Sequence, residues 1–150
     1  MQDRCVEGNV PIGYMTDAFL MLDCDLQRID KVKKFAKTYA KEYDLGSSVV
    51  FKTSDTPQID LFGHRLTNCC IIFGMKLSWD EIRWHVQEVY SRGMVNRGFL
   101  AMRYFGSITI RVNAKNKKIP HPTLIAYFDN GDDTGVFEFI DFWRTCRKEG

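Results

Sequence analysis

Two carboxylates interrupt one of the most apolar stretches of the chain. Residues 19–26 read Phe-Leu-Met-Leu-Asp-Cys-Asp-Leu, so Asp23 and Asp25 stand two positions apart. Side chains alternate between the faces of a β-strand, and both carboxylates would therefore project from one face, about 7 Å apart. The pattern predicts a strand over residues 16–26 with one face for burial and two acids on the other. Alternatively, Asp25 caps the helix that follows and Asp23 is a solvated residue at the end of the strand.

Three segments have the apolar spacing of amphipathic helices. Residues 27–44 place apolar side chains on one side and lysines on the other, and we interpret the lysines as a solvated face. A second helix is predicted from Trp79 to about Arg92, because Ser78 and Glu81 have the spacing of a capping box. A third is predicted over residues 134–150, docked on the core or on a second copy of the protein.

The remaining segments predict strands over residues 47–54, 67–75, 107–112 and 123–128, with residues 1–15 as an N-terminal arm. The order predicts a single α+β domain over residues 1–150. It matches the β-α-β-β-α-β unit of ferredoxin-like or RRM-like folds, an antiparallel sheet with helices on one face, plus an extra strand and the C-terminal helix. The first strand is central in that unit, so the two acids would stand in the middle of an open face.

Positive charge is concentrated in one part of a chain that is nearly neutral overall. The formal net charge is +2, but residues 91–128 contain no Asp or Glu and hold seven basic residues: Arg92, Arg97, Arg103, Arg111, Lys115, Lys117 and Lys118. Such a segment predicts an anionic partner, for example a phosphate or a nucleic acid. A solvated basic surface would give the same pattern.

The cysteines and the short apolar runs indicate the cellular compartment of the protein. The five cysteines form no C-x-x-C motif, which predicts reduced thiols in a cytoplasmic protein, most of them packed as small hydrophobic residues. No apolar run is long enough to span a bilayer, so no membrane partner is expected. A glycine-rich phosphate loop and a His-x-His pair are also missing, which argues against P-loop enzymes and nicking endonucleases of that type.

Several of these segments resemble the catalytic core of archaeo-eukaryotic primases and primase-polymerases, in particular small members from archaeal plasmids and viruses. That family has a hydrophobic strand ending in Asp-x-Asp, as in residues 19–25, and then a helix. Its next strand leads to a small-residue-and-His motif, of which residues 51–54 followed by Gly63-His64 resemble a stretched version. Residues 108–112 and the basic turn after them are similar to the family's strand with an Arg and a Lys.

The resemblance covers roughly residues 16–128 and implies an RRM-like palm domain that acts in DNA replication. It implies metal-dependent nucleotidyl transfer, with Asp23, Asp25 and His64 as catalytic residues and with Mg²⁺ or Mn²⁺ held by the two aspartates. His64 would contact the phosphates of the incoming nucleotide, assisted by Arg111. The expected partners are nucleotides and DNA or RNA, bound through the basic residues Arg103, Arg111, Lys115, Lys117 and Lys118.

Two features differ from the family pattern. The histidine of the family stands closer to its strand, whereas here a longer loop intervenes. The family's third carboxylate has no clear counterpart, and Asp60 and Asp129 are its only substitutes.

Two other interpretations remain open. In the first, the domain is a non-catalytic RRM-like module that binds single-stranded nucleic acid by stacking bases on Phe19 and Phe51. In the second, it is a structural or regulatory protein that forms homo-oligomers or binds a replication partner through the aromatic C-terminal helix, with Phe137, Phe139, Phe142 and Trp143.

Overall fold

The computed structural model describes residues 13–103, 106, 108–112 and 121–149. For residues 147–149 it describes the backbone only. The basic residues Lys115, Lys117 and Lys118 and most of the predicted N-terminal arm lie outside these ranges. The elements are β1 (Gly13–Thr16), β2 (Phe19–Gln27), α1 (Ile29–Glu42), β3 (Ser48–Ile59), β4 (Arg65–Lys76), α2 (Trp79–Ser91), α3 (Arg97–Met102), β5 (Ile108–Arg111), β6 (Thr123–Phe128) and α4 (Thr134–Glu149). The predicted α+β class with antiparallel pairing is confirmed.

Four strands form one antiparallel sheet in the order β2-β4-β3-β6, and β1 pairs with β5 in a separate two-stranded ribbon. The strand predicted over residues 16–26 corresponds to β2, which begins at Phe19, whereas β1 lies mainly in residues 13–15, which were predicted to belong to the N-terminal arm. Among the described residues, β2 is an edge strand of the larger sheet, and the expectation that it is central is wrong. The reason is that β5, the strand expected to flank β2, makes its ladder with β1.

Helices α1 and α2 cover one face of the sheet. The apolar stripe of α1 is buried, and Ser48 Oγ of β3 donates a hydrogen bond of 3.1 Å to the carbonyl oxygen of Ala36. Helix α2 begins with the capping box that the sequence predicts, since Ser78 Oγ accepts from the Glu81 N–H and Glu81 Oε1 accepts from the Ser78 N–H. This cap supplies acceptors for amide groups that no helical carbonyl reaches.

Helix α4 packs on the opposite face, so the prediction that one face stays open is wrong. Phe51 lies three positions after Ser48 and points to the other side of β3. Its ring centroid lies 5.1 Å from that of Phe139 and 5.0 Å from that of Trp143, both in α4. The C-terminal helix thus docks on the core of its own chain. Of the four aromatic residues expected to serve assembly, only Phe137 is largely exposed, at 53%.

The packing of α4 also covers the two aromatic rings on which bases were expected to stack. Phe19 is 5% exposed and Phe51 is fully buried. A base has no access to either ring while α4 is in place. The prediction that these two residues stack on nucleic acid is therefore wrong.

The loop between β6 and α4 packs closely against Gly46, which lies before β3, and Gly74 of β4, and it fits only because neither residue has a side chain. The carbonyl oxygen of Asp132 accepts a hydrogen bond of 2.8 Å from the Ser47 N–H. A Cβ atom at Gly74 would lie 1.9 Å from that oxygen, and one at Gly46 would lie 2.5 Å from it. Gly46 also has a positive φ of 74°, which side chains disfavour. Glycine is therefore required at both positions.

The cysteines follow the prediction in part. Cys24, Cys69 and Cys70 are buried in the core as free thiols. Cys146 is buried too, but it is disulfide-bonded, so the expectation of reduced thiols throughout is wrong. No helix in the described part of the chain is both long and apolar enough to cross a membrane.

Candidate functional site

The two aspartates of β2 lie on one face of the strand and line the same cavity. Asp23 and Asp25 alternate with the buried residues Leu22 and Cys24, and each is partly exposed. The cavity has a volume of about 270 Å³. It is lined by Asp23, Asp25, Thr53, Ser54, Asn68, Thr109, Ile110 and Arg111. Three strands of the large sheet and the ribbon strand β5 thus contribute to one polar site.

Asn68 connects the strands beneath the cavity. Its Oδ1 accepts a hydrogen bond of 2.9 Å from the Leu26 N–H of β2, and its Nδ2 donates one of 2.9 Å to Ser54 Oγ of β3. Thr53 Oγ1 donates to the Asn68 carbonyl oxygen at 3.0 Å. These bonds hold the edges of three strands in register at the point where the acids stand.

The strands are irregular at this point, which explains why side-chain bonds replace part of the ladder. The pairing of β2 with β4 shifts between Cys24 and Gln27, and that of β3 with β4 shifts between Lys52 and Ser54. Leu26 has a positive φ of 54°. Such irregularities bend a strand and redirect its side chains, and they are common beside functional sites.

Asp23 is near the midpoint of its titration at neutral pH. Burial, together with the charge and the hydrogen bond of Asp25, raises the pKa of Asp23 to about 7. The nearby guanidinium groups of Arg103 and Arg111 act in the opposite direction. Two neighbouring carboxylates in a desolvated site do not both ionise readily unless a cation compensates their charge. The pair is therefore a place where a bound cation would replace a proton.

Arg111 reaches across the cavity from β5. Its Nη2 donates a hydrogen bond of 2.5 Å to the carbonyl oxygen of Thr53, and burial lowers its pKa while the charge of Asp23 raises it. A guanidinium group keeps its charge under these conditions, and its planar donors suit phosphate. Arg111 therefore places a fixed positive charge beside the acids.

Arg103 adds a second positive charge to this side of the sheet. It follows α3, is 7% exposed, and its guanidinium carbon lies 4.4 Å from the centroid of the Phe99 ring. Within the described part of the chain, its buried Nε and Nη1 have no hydrogen-bond partner. Burial lowers the pKa of Arg103, and the charge of Asp23 raises it. A buried cation with unused donors is costly unless an anion approaches it.

His64 is not among the residues that line the cavity. It lies in the turn between β3 and β4, half-exposed, with Nδ1 3.3 Å from Oδ2 of Asp60. The two strands continue to Ile59 and Arg65, so His64 is four residues beyond Asn68, about 13 Å along an extended strand. The expected grouping of His64 with the two acids is not found. Residues 55–59 continue β3 and do not form the predicted loop, so the hairpin carries His64 away from the cavity.

No third carboxylate lines the cavity within the described ranges. Asp60 is bound in the turn beside His64, and Asp129 lies 3.4 Å from Ser47 Oγ, near the loop that precedes α4. Groups of three or more acidic, histidine or cysteine ligands are likewise missing from the part of the chain described here. Two carboxylates with water and substrate phosphates are, however, the usual environment of Mg²⁺ in enzymes that act on nucleotides. The donor set therefore fits a cation that binds together with phosphates.

Four polar residues that complete the site were not predicted to line it. Asn68 and Thr109 are predicted only as strand residues, and Thr53 and Ser54 were identified only as part of the stretched small-residue-and-His motif. Asn68 could have been noticed as an amide next to an apolar run, but its place beside the acids depends on the strand register.

Comparisons with models of known protein families, with curated proteins and with solved structures find no match to this chain.

Proposed function

We propose that this domain binds a nucleotide together with Mg²⁺ or Mn²⁺ in the cavity over β2 and catalyses nucleotidyl transfer on DNA or RNA. One observation carries the proposal: Asp23, whose pKa is raised, shares a cavity with Asp25 and Arg111. Perturbed titratable groups in a cleft are typical of functional sites. The resemblance to primase-polymerase cores supplies the class of reaction.

The strand order also supports this class of fold. Counted from β2, the first, third and second strands of the predicted unit lie side by side as β2, β4 and β3. We propose that this is a ferredoxin-like or RRM-like core with β6 added at one edge and α4 added on the second face. The ribbon strand β5 lines the cavity next to β2, on the side where the fourth strand of such a core would stand.

The residues have distinct roles in this proposal. Asp23 and Asp25 would hold the cation, which when bound would stabilise the charge on the attacking and leaving oxygens. Arg111 and Arg103 would neutralise and orient the phosphates. Asn68 joins β2, which carries both acids, to β3, where the Thr53 carbonyl oxygen accepts the hydrogen bond of Arg111.

The small number of carboxylates has a consequence for binding. Two acids give a weak site for a free cation at neutral pH, because the pKa of Asp23 is about 7 and protons compete with the cation. Phosphate oxygens would supply the missing ligands. We therefore expect Mn²⁺ and a nucleoside triphosphate to bind synergistically, each raising the affinity for the other.

Calorimetric titration of Mn²⁺ and a triphosphate, separately and together, tests this proposal. Asp23→Asn, Asp25→Asn and Arg111→Gln are each expected to weaken Mn²⁺-dependent nucleotide binding at least tenfold, because each removes a charge from the cavity. Asp17→Asn is the matched control, since Asp17 is an exposed acid just before β2. Unchanged binding in both aspartate variants would refute the proposal, and nucleotide incorporation by the wild type but not by Asp23→Asn would establish catalysis.

The second candidate function is nucleic-acid binding without catalysis. The absence of a third carboxylate from the described cavity residues favours it. It predicts binding of a polynucleotide that falls with salt and does not depend on magnesium. The same variants distinguish the two functions, because Asp23→Asn would leave such binding intact or strengthen it.

A further inference from the structure

The β3–β4 hairpin carries large apolar side chains into solvent. Ile59, Leu61 and Phe62 are 63%, 100% and 83% exposed, and we call these three residues the hairpin tip. Strand β6 pairs only with residues 48–52 of β3, and β2 pairs with β4 only as far as Thr67. Beyond that point the hairpin has no neighbouring strand among the described elements. Clustered apolar side chains of this size at a free surface indicate a contact site.

The turn that presents these residues is rigidly built. Asp60 Oδ1 accepts hydrogen bonds of 2.9 Å from the N–H groups of Phe62 and His64. The Asp60 N–H donates to the His64 carbonyl oxygen at 2.8 Å, and Gly63 has the positive φ of 85° that the turn requires. The exposure of Leu61 and Phe62 is thus a property of an ordered turn. An ordered turn loses little entropy when it docks on a partner.

The hairpin is continuous with the proposed active cavity. Its base supplies Thr53, Ser54 and Asn68 to the cavity wall. Along β4, four residues lead from Asn68 at the cavity to His64 in the turn, which is about 13 Å in an extended strand, and β3 covers the same length with extra residues because its pairing shifts between Asp55 and Ile59. A nucleic-acid strand whose reacting end lies in the cavity would pass along the β3–β4 hairpin if it left the cavity on that side.

The charges around the hairpin tip suit a polyanion. Arg28 and Arg65 flank the turn; Nε of Arg28 lies 3.9 Å from Asp60 Oδ2, and Arg65 is exposed. The two acids of the hairpin are already engaged, Asp60 by the turn and Asp55 by Lys52 at 3.3 Å. Basic side chains beside an exposed aromatic ring are the combination that binds single-stranded nucleic acid, in which bases stack and phosphates are neutralised.

We propose that the hairpin tip contacts the nucleic-acid substrate, with Phe62 stacked on an unpaired base and Leu61 packed beside it. This inference rests on the proposed function and adds a second contact, remote from the cavity. It names the partner as single-stranded DNA or RNA, or the frayed end of a duplex. The ring of Phe62 offers a face to any base, so the contact is expected to be insensitive to sequence.

Fluorescence anisotropy with a labelled single-stranded oligonucleotide tests the proposal. The double variant Leu61→Ser/Phe62→Ser is expected to bind the oligonucleotide about tenfold more weakly than the wild type, because one stacked base is lost. Phe137→Ser is the matched control, since Phe137 is an exposed aromatic residue on α4. Both variants should keep the wild-type circular dichroism, because neither removes a core side chain.

Mononucleotide binding separates this inference from the proposed function. The double variant should bind Mn²⁺ and a triphosphate as the wild type does, whereas Asp23→Asn should not. If oligonucleotide affinity is the same in the wild type and the double variant, the inference is wrong even when the cavity variants behave as proposed. It is also wrong if the substitutions change only the sedimentation of the protein, because the hairpin tip would then contact a second protein chain.

Discussion

One face of the sheet has two halves with opposite properties, and β2 runs through both. In the first half, Phe19 and Met21 are buried beneath the layer that contains α4. In the second half, on the same face of the strand, Asp23 and Asp25 line a polar cavity. The side chains change from large and apolar to acidic within two positions. The first half is built to exclude water, and the second retains desolvated charges that weaken the fold.

This difference identifies the part of the face that is organised for chemistry. A raised pKa at Asp23 and two arginines with lowered pKa values are unfavourable for stability, since burial disfavours each charged form. Proteins retain such groups mainly where function requires them. The described side chains that fill the apolar half, such as Phe19, Met21, Phe51 and Phe139, carry no ionisable group. Removing a buried apolar side chain in the first half should therefore destabilise the protein, whereas neutralising a desolvated charge in the second half should stabilise it.

The largest effect is expected in the apolar half. Phe139→Ala removes a buried ring that packs against Tyr14 and Phe51, with ring centroids 5.3 and 5.1 Å away. Truncation of a buried Phe lowers the free energy of unfolding by about 3–5 kcal/mol. Urea denaturation measures this loss. Phe137→Ala, at an exposed position of the same helix, should cost much less, and equal losses in the two variants would contradict the assignment of the buried face of α4.

A smaller effect of opposite sign is expected in the polar half. The pKa of Asp23 is about 7 in the folded chain against an ordinary value of 3.8, so the folded state holds an extra proton between pH 4 and 7. Stability is therefore lost as the pH rises through this window and is level above it. Asp23→Asn removes this loss.

We expect Asp23→Asn to stabilise the metal-free protein at pH 8 by on the order of 3 kcal/mol relative to its effect at pH 4. Urea denaturation at several pH values, with a chelator present, gives the difference between the two proteins. Asp17→Asn should show no such trend. A pH-independent difference between wild type and Asp23→Asn would mean that Asp23 is ionised in the folded state.

The smallest effect concerns the bonds beneath the cavity. Asn68→Ala leaves the Leu26 N–H without its acceptor and should lower the free energy of unfolding by about 1 kcal/mol. Ser54→Ala removes only the acceptor of the Asn68 amide and should cost less. Hydrogen exchange at the Leu26 amide reports the bond directly. Faster exchange in Ser54→Ala than in Asn68→Ala would contradict this order.

Local sequence patterns predicted most elements but not their arrangement. The alternation in residues 19–26 places both aspartates on one face, and the capping box at Ser78 fixes the start of α2. Local patterns contain no information on which strands pair, so the β1–β5 ribbon and the edge position of β2 were missed. The aromatic residues of α4 predicted a buried face but not the face of the sheet that they cover.

For the candidate site, too, the sequence indicates some of the residues but not how the strands bring them together. The sequence singles out the two acids and Arg111, which line one cavity, because charge stands out in an apolar or alternating strand. His64 was grouped with them only through the resemblance to the family's small-residue-and-His motif, and the pattern of residues 55–65, which predicts a loop, does not show that the strands continue to Ile59 and Arg65. Asn68 was missed because its importance depends on a register shift between β2 and β4.

The close contact of Asp132 with Gly46 and Gly74 offers a way to find relatives of this domain. These three positions are far apart in the chain, and the backbone geometry permits no side chain at either glycine. A homologous chain with the same loop should therefore keep both glycines even where its core residues have drifted. A search that requires two acids separated by one residue, then these glycines at comparable spacing, would select for the architecture and the site together.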